Sequence, residues 1–289
     1  MEHPAELAVH SYLEQVTTNK KTMSEENIRK IADDVAKSLR RQFCERRGGT
    51  GGFTLRASNV GRPACQLWYQ KNKPEKEAPL HTTFLVRMVF GDMVEALFKG
   101  LLREAGVSYK EPKRIQATIG NTEISGEYDL IVDGAVDDIK STSPWSYNNK
   151  FTDGKNLEKD DPFGYVGQLA VYSTGANVPA GGWWVINQAS GQFKYVAYES
   201  DTKEVVKKLS ATADKVNSNK FERCFKPEAE FFRGKPTGNY KLTRQCSFCS
   251  FKQDCWKGAI SEERSRVSSA KNPPVIDYLD IQKLTGEAA

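Results

Sequence analysis

The stretch SGEYDLIVDGAVDDIKST, residues 125–142, constrains this chain more than any other. Apolar and polar residues alternate on either side of Asp133-Gly134, a dipeptide suited to a two-residue hairpin turn because both positions tolerate positive φ. The spacing predicts successive strands RIQATIG, TEISGEYDLIVD and AVDDIKST, the last two joined by that turn. On such a hairpin Asp138 and Lys140 lie two apart on one face, with Asp129 on the partner strand. Carboxylates held side by side repel each other and rise in pKa unless a cation sits between them, so oxygen ligation of magnesium or manganese is one stable arrangement. Lys140 beside that metal would orient a water and offset charge on a phosphoryl group. The alternative is ordinary surface charge on a half-exposed hairpin, and the three residues taken alone lean that way.

Helical spacing dominates the rest. Residues 1–46 alternate apolar and charged positions, with Ser24 as a helix start before IRKIADDVAKSLRRQF. A break over Gly48–Gly52 precedes a short aromatic-rich helix around Cys65, entered past Gly61 and Pro63 and followed by the flexible KNKPEKEAP. A long helix is expected from Thr82 to Ala105, bent near Gly91, and another from Asp161 to Tyr172. SPWSYNNKFTDGKN reads as an exposed loop, GGWWVINQ and QFKYVAYES as a strand pair, and 202–217 as a polar helix. Beyond it the chain loses periodicity and ends in a ProPro-containing tail with the composition of a disordered segment.

No run approaches the ~18 apolar residues of a membrane span, and MEHPAELAVHSYLEQ lacks the basic-then-apolar order of a signal peptide, so a cytoplasmic protein without membrane partners is expected. A net charge of +5 permits a polyanionic partner without demanding one. In that setting six cysteines are thiols or metal ligands rather than disulfides. CSFCSFKQDC sets Cys246, Cys249 and Cys255 at spacings that suit three ligands of one metal centre, one short of the usual four. Cys65 is the best fourth candidate, whereas Cys44 and Cys224 have no partner spacing.

The order of these features resembles the PD-(D/E)XK nuclease superfamily, in its RecB-like branch: a helix with Glu95, a strand with Gly126 and Asp129, a strand with Asp138-Ile139-Lys140, then a helix with Gln168 and Tyr172 in the QxxxY position. The match spans residues 91–172. The resemblance implies an α/β fold with a central mixed sheet flanked by helices. It also implies a metal held by Glu95, Asp129, Asp138 and the carbonyl of Ile139, with Lys140 activating water and Gln168 and Tyr172 positioning substrate. Glu95 stands where the family often has histidine, which leaves Asp92, one turn earlier, as an alternative. Tyr165 shares the Gln168/Tyr172 face. The cysteine pattern, one N-terminal cysteine with a trio at x2 and x5 spacing, resembles iron–sulphur nucleases of the Cas-four type, which implies a structural 4Fe-4S cluster on Cys65, Cys246, Cys249 and Cys255; zinc is the alternative by spacing alone.

Lys71, Lys73, Lys76, Arg40, Arg41, Arg46 and Arg47 are phosphate-binding candidates or simply solvated charge. Trp145, Tyr147 and Phe151 follow the catalytic strand and would stack on unpaired bases; packing of Trp145 and Phe151 onto the core is the even alternative. The expected organisation is a helical region over 1–80, a nuclease core over 81–220, a cysteine segment over 221–260 packing with the N-terminal region, and a tail over 261–289. The expected function is a metal-dependent exonuclease acting on DNA that is single-stranded or has free ends, in recombination, repair or CRISPR adaptation, including phage versions. A partner such as a recombinase, helicase or single-strand-binding protein would supply strand separation, because no GxxxxGK[ST] loop occurs. A nucleic-acid-binding or assembly factor that kept the fold without catalysis is the competing class.

Overall fold

A computed structural model describes residues 3–45, 52–79 and 82–285, arranged as a mixed α/β chain with helices and several sheets. Arg46, Arg47, most of the Gly48–Gly52 run and the last four residues of the tail lie outside the described residues. The helices are α1 (Pro4–Thr17), α2 (Glu25–Leu39), α3 (Ala57–Val60), α4 (Ala64–Asn72), α5 (Phe84–Glu104), α6 (Pro144–Asn149), α7 (Gly154–Lys159), α8 (Tyr165–Ala176), α9 (Thr202–Asn217), α10 (Arg244–Ser247), α11 (Lys252–Cys255) and α12 (Ile281–Thr285). The strands are β1 (Tyr109–Lys110), β2 (Lys113–Ile119), β3 (Thr122–Tyr128), β4 (Leu130–Val132), β5 (Ala135–Thr142), β6 (Ala180–Asn187), β7 (Phe193–Ala197), β8 (Glu228–Phe232), β9 (Lys235–Lys241), β10 (Ile260–Arg264) and β11 (Val275–Leu279). Among the described residues no helix is long and apolar enough to cross a membrane. The chain divides into two compact units, Met1–Gly61 with Leu80–Ser210, and Arg62–Pro79 with Ala211–Ala289.

In the first unit a five-stranded sheet runs in the order β1-β4-β5-β6-β7. β5 and β6 pair parallel and the remaining neighbours antiparallel, so the sheet is mixed. Asp133 and Gly134 both take positive φ between β4 and β5, as the hairpin turn requires. β6 carries AGGWWVIN with Trp183 and Trp184 both fully buried, the pattern of a strand covered on two faces. One core joins Val9 of α1, Phe98 and Leu102 of α5, Leu130, Ile139, Trp184 and Phe193. β2 and β3 form a separate antiparallel ribbon, and α8 packs against both.

Two expectations change here. SPWSYNNKFTDGKN is not a loop but α6 and α7, because its turn-type residues serve as helix caps: Ser143 Oγ accepts from the Ser146 amide at 3.3 Å, and Asp153 Oδ1 from the Asn156 amide at 2.7 Å. Pro144 opens α6, where a missing N–H costs nothing. The long helix around Glu95 is a continuous α5 through Gly91.

In the second unit the segment expected as aperiodic chain and tail forms a four-stranded sheet, β10-β11-β9-β8. Polar pairing holds it in place of hydrophobic alternation: Glu230 is buried and accepts from Tyr278 Oη at 2.8 Å and Asn239 Nδ2 at 2.8 Å. Buried Asp277 pairs with Lys252 at 2.8 Å. An apolar cluster of Tyr69, Leu242, Phe251, Trp256 and Leu279 includes Cys246 and Cys255.

Candidate active site

The site is built where β3, β4 and β5 meet. Asp129 occupies the bend between β3 and β4, and its Oδ2 accepts the Ile139 amide of β5 at 2.7 Å. That bond fixes the carboxylate opposite Asp138, whose side chain is buried and paired through Oδ2 with Lys140 Nζ. Both oxygens of Asp138 are buried, and the Lys140 ammonium is the cation that meets them. An acid buried with spare lone pairs is costly unless a cation completes it. Ile139 contributes its amide here while its side chain packs in the core.

The electrostatics follow from this crowding. Burial first, and then the charge of Asp138, push Asp129 up to about 6, against the pull of Lys140 and Lys99. Burial raises Asp138 too, opposed by Lys140. For Lys140 burial works against the ammonium, but Asp138 and Asp129 outweigh it and hold the lysine charged. Glu95 of α5 is raised by burial and by Asp129, and Lys99, one turn on, tempers it through an ion pair of 2.5 Å. Asp92 is engaged elsewhere, with Arg41 at 2.9 Å and Gln42 at 3.1 Å, so Glu95 is the α5 acid whose field reaches Asp129 and Asp138.

From α8, Gln168 Nε2 donates to Tyr172 Oη at 2.8 Å, and the buried Tyr172 hydroxyl is raised by burial and by the charges of Asp138 and Asp129. Gly126 makes this possible: a Cβ there would meet Ala57 Cβ at 2.6 Å and Tyr172 Cε1 at 2.7 Å. Asp161 caps α8 by accepting from the Gly164 and Val166 amides at 2.9 and 2.8 Å, and Gly164, with φ of 79°, lets the chain enter in a left-handed turn. The first residue of α8, Tyr165, lies with its ring 5.1 Å from Lys140 Nζ.

The remaining aromatic candidates separate. Trp145 on α6 is exposed, Tyr147 has its ring 4.3 Å from Lys194 Nζ, and Phe151 is fully buried with its ring 5.9 Å from that of Tyr165. Phe151 therefore packs the core and is not a stacking residue. A groove of about 540 Å³ beside Asp129 and Glu95 is lined by Arg41, Arg56 and Arg114 together with Ser125, Gly126 and Tyr172. Of these cations only Arg41 was expected; Arg56 and Arg114 sit singly in the sequence, and only the fold brings them together. Lys99 was also missed, although Glu95 and Lys99 at i and i+4 are a readable pair. Asp137, one residue before Asp138, points away into a polar pocket, accepting from the Gly182 amide, Trp184 Nε1 and Tyr195 Oη at 2.9–3.0 Å.

In the second unit Cys65, Cys246, Cys249 and Cys255 line one cavity of about 20 Å³ beside Tyr69 and Trp256. All are free thiols. Burial raises Cys246 and Cys255 and pushes Cys249 up to about 11, which favours the protonated thiols. Cys224, passed over in the sequence, lies against Cys65, whose amide donates to Cys224 Sγ at 3.0 Å. Among the described residues no three His, Cys, Asp or Glu side chains already converge as a metal cage. The donors have the right chemistry for each group, carboxylates for a hard divalent cation and thiolates for iron–sulphur or zinc, and lysines now neutralise two of the acids.

No family model matches the chain, and no curated protein matches it. Among solved structures, that of SSO0001 is similar with a TM-score of 0.42 and 13% identity, covering 76% of this chain and 93% of that one. Nothing about the site is carried over from a likeness of that degree.

Proposed function

We propose that the protein is a magnesium- or manganese-dependent DNA exonuclease with a RecB-like PD-(D/E)XK core and a 4Fe-4S cluster on Cys65, Cys246, Cys249 and Cys255. One observation carries this reading: Asp129, Asp138 and Lys140 meet beside Glu95 at the edge of a groove lined by three arginines. Glu95, Asp129, Asp138 and the Ile139 carbonyl would hold the metal, and a bound metal would supply polarisation of the phosphodiester and a lower pKa for a water. Arg41, Arg56 and Arg114 seat the phosphates on either side. The charged Lys140 hydrogen-bonds the attacking water and offsets charge on the phosphoryl oxygens, while Tyr172, fixed by Gln168, limits where the strand lies. Tyr165 and Trp145 offer faces to unpaired bases. The substrate is DNA that is single-stranded or has free ends, met in the cytoplasm during recombination, repair or end processing, with a helicase or recombinase as partner where strands must be opened.

A second reading, a nucleic-acid-binding factor without catalysis, is favoured by the internal ion pairs Lys99–Glu95 and Lys140–Asp138, which satisfy the acids without metal. Anaerobically purified protein and Lys140→Ala, incubated with end-labelled single- and double-stranded DNA in magnesium, manganese or EDTA, decide between them. Metal-dependent shortening that Lys140→Ala abolishes while retaining DNA affinity is expected. Binding by both proteins without cleavage under any metal overturns the nuclease reading. Iron and acid-labile sulphide in the wild type separate the cluster from zinc.

A further inference from the structure

Of the two thiols outside the proposed ligand set, Cys44 and Cys224, the second lies against Cys65. Cys224 stands in an open groove of about 400 Å³ lined by Trp68, Lys215, Lys220 and Arg223, and is exposed there. Cys65 borders that groove and also the cavity of Cys246, Cys249 and Cys255. The Cys65 amide donates to Cys224 Sγ at 3.0 Å, and the two thiols hydrogen-bond to each other. Cys65 is buried, so an oxidant dissolved in water meets Cys224 first.

We propose that Cys224 and Cys65 form a redox-active dithiol, with Cys224 the peroxide-reactive thiol and Cys65 the resolving one. The Cys224 sulphur attacks the peroxide O–O bond, taking one oxygen to become a sulphenic acid and releasing water from hydrogen peroxide. The Cys65 sulphur then attacks that sulphur, the S–O bond breaks, and the departing hydroxide takes the Cys65 proton as a second water. Two electrons pass to the peroxide, one from each sulphur in the net, and one S–S bond forms. Since Cys65 is the N-terminal ligand in the reading above, a metal centre that engages Cys65 blocks the disulphide, and the disulphide withdraws Cys65 from the metal. The pairing itself needs only the two thiols and stands without that reading.

The full-length chain, as purified and after metal removal by a chelator, is titrated with hydrogen peroxide, alkylated, and digested without reduction for peptide mapping. In the metal-free protein the linked species should join the Cys65 and Cys224 peptides, with loss of two of the six alkylatable thiols. Cys224→Ser should abolish that link and leave Cys65 fully alkylatable. Links confined to Cys246, Cys249 and Cys255, or sulphinic acid on an unlinked Cys224, overturn the proposal. If the link forms equally fast with metal bound, the dithiol stands and ligation by Cys65 fails, so the two ideas are judged separately.

Discussion

Replacing Asp129 by asparagine should make the metal-free fold more stable while destroying the activity proposed for it. The isostere keeps an oxygen for the Ile139 amide, a bond of 2.7 Å, but removes the charge that faces Asp138. In the wild type that charge is disfavoured by burial and by Asp138, which lift the carboxyl from 3.8 to about 6. At ~1.4 kcal/mol per pKa unit the ionised form costs on the order of 3 kcal/mol at pH 8. The sign follows from the direction of the shift: a raised carboxyl is penalised in the fold only where it must ionise, so wild-type stability declines as pH rises from 3.8 through 6. Asp129→Asn should therefore gain about 3 kcal/mol at pH 8, roughly 1 kcal/mol at pH 4.5, and nothing below 3.8. Urea unfolding of both proteins in EDTA measures this. Magnesium should then stabilise the wild type and leave Asp129→Asn unmoved, since a ligand of the folded state adds stability in proportion to its occupancy. A gain at pH 8 that persists undiminished at pH 4.5, or none at all, would refute the electrostatic argument; equal stabilisation of both proteins by magnesium would remove Asp129 from the metal.

Other perturbations read other parts of the site. Gly126→Ala drives a Cβ to 2.6 Å from Ala57 and 2.7 Å from the Tyr172 ring, and should cost about 1–3 kcal/mol in denaturant unfolding, with slower cleavage as Tyr172 shifts. Glu95→Gln should lower the cleavage rate at saturating DNA far more than Asp92→Asn, because Asp92 is engaged by Arg41 and Gln42; the reverse ranking would assign the α5 ligand to Asp92. Alanine at Arg56 or Arg114 should weaken DNA binding and reduce the salt slope of log Kd by about one each, without changing the rate at saturation.

What could be read in advance follows the range of the forces involved. The hairpin was legible because Asp133-Gly134 fixes its register locally, and register in turn places Asp138 and Lys140. Glu95 and the Gln168/Tyr172 pair were singled out by the resemblance in motif order, helical spacing giving only the face that Gln168 and Tyr172 share. Arg56 and Arg114 were not, since one precedes a four-residue helix and the other lies on a ribbon strand, and neither position carries a local signal of the groove they share. Ser143 and Asp153 misled for a related reason: the side-chain oxygen that closes a turn also caps a helix, and burial of Phe151 decides between the two uses.

The second unit shows where hydrophobic periodicity stops being informative. β9, KPTGNYK, puts Thr237, Asn239 and Lys241 at its less exposed positions and has no fully buried residue, and β11 buries Asp277 beside Tyr278, so neither strand shows an apolar alternation. Their order comes from partners distant in sequence, Glu230 with Tyr278 and Lys252 with Asp277. Such pairs stabilise only when both members are in place, because a lone buried charge costs several kcal/mol. Cys246 lies in the short helix α10, Cys255 ends α11 and Cys249 falls between them, and with Cys65 they line a cavity of about 20 Å³. A metal bound there would add its binding free energy to that of the apolar cluster around Phe251 and Trp256. The same logic explains why Cys224 escaped notice: its relation to Cys65 depends on α4 meeting the chain that follows α9, a contact 159 residues long in sequence that no spacing rule encodes.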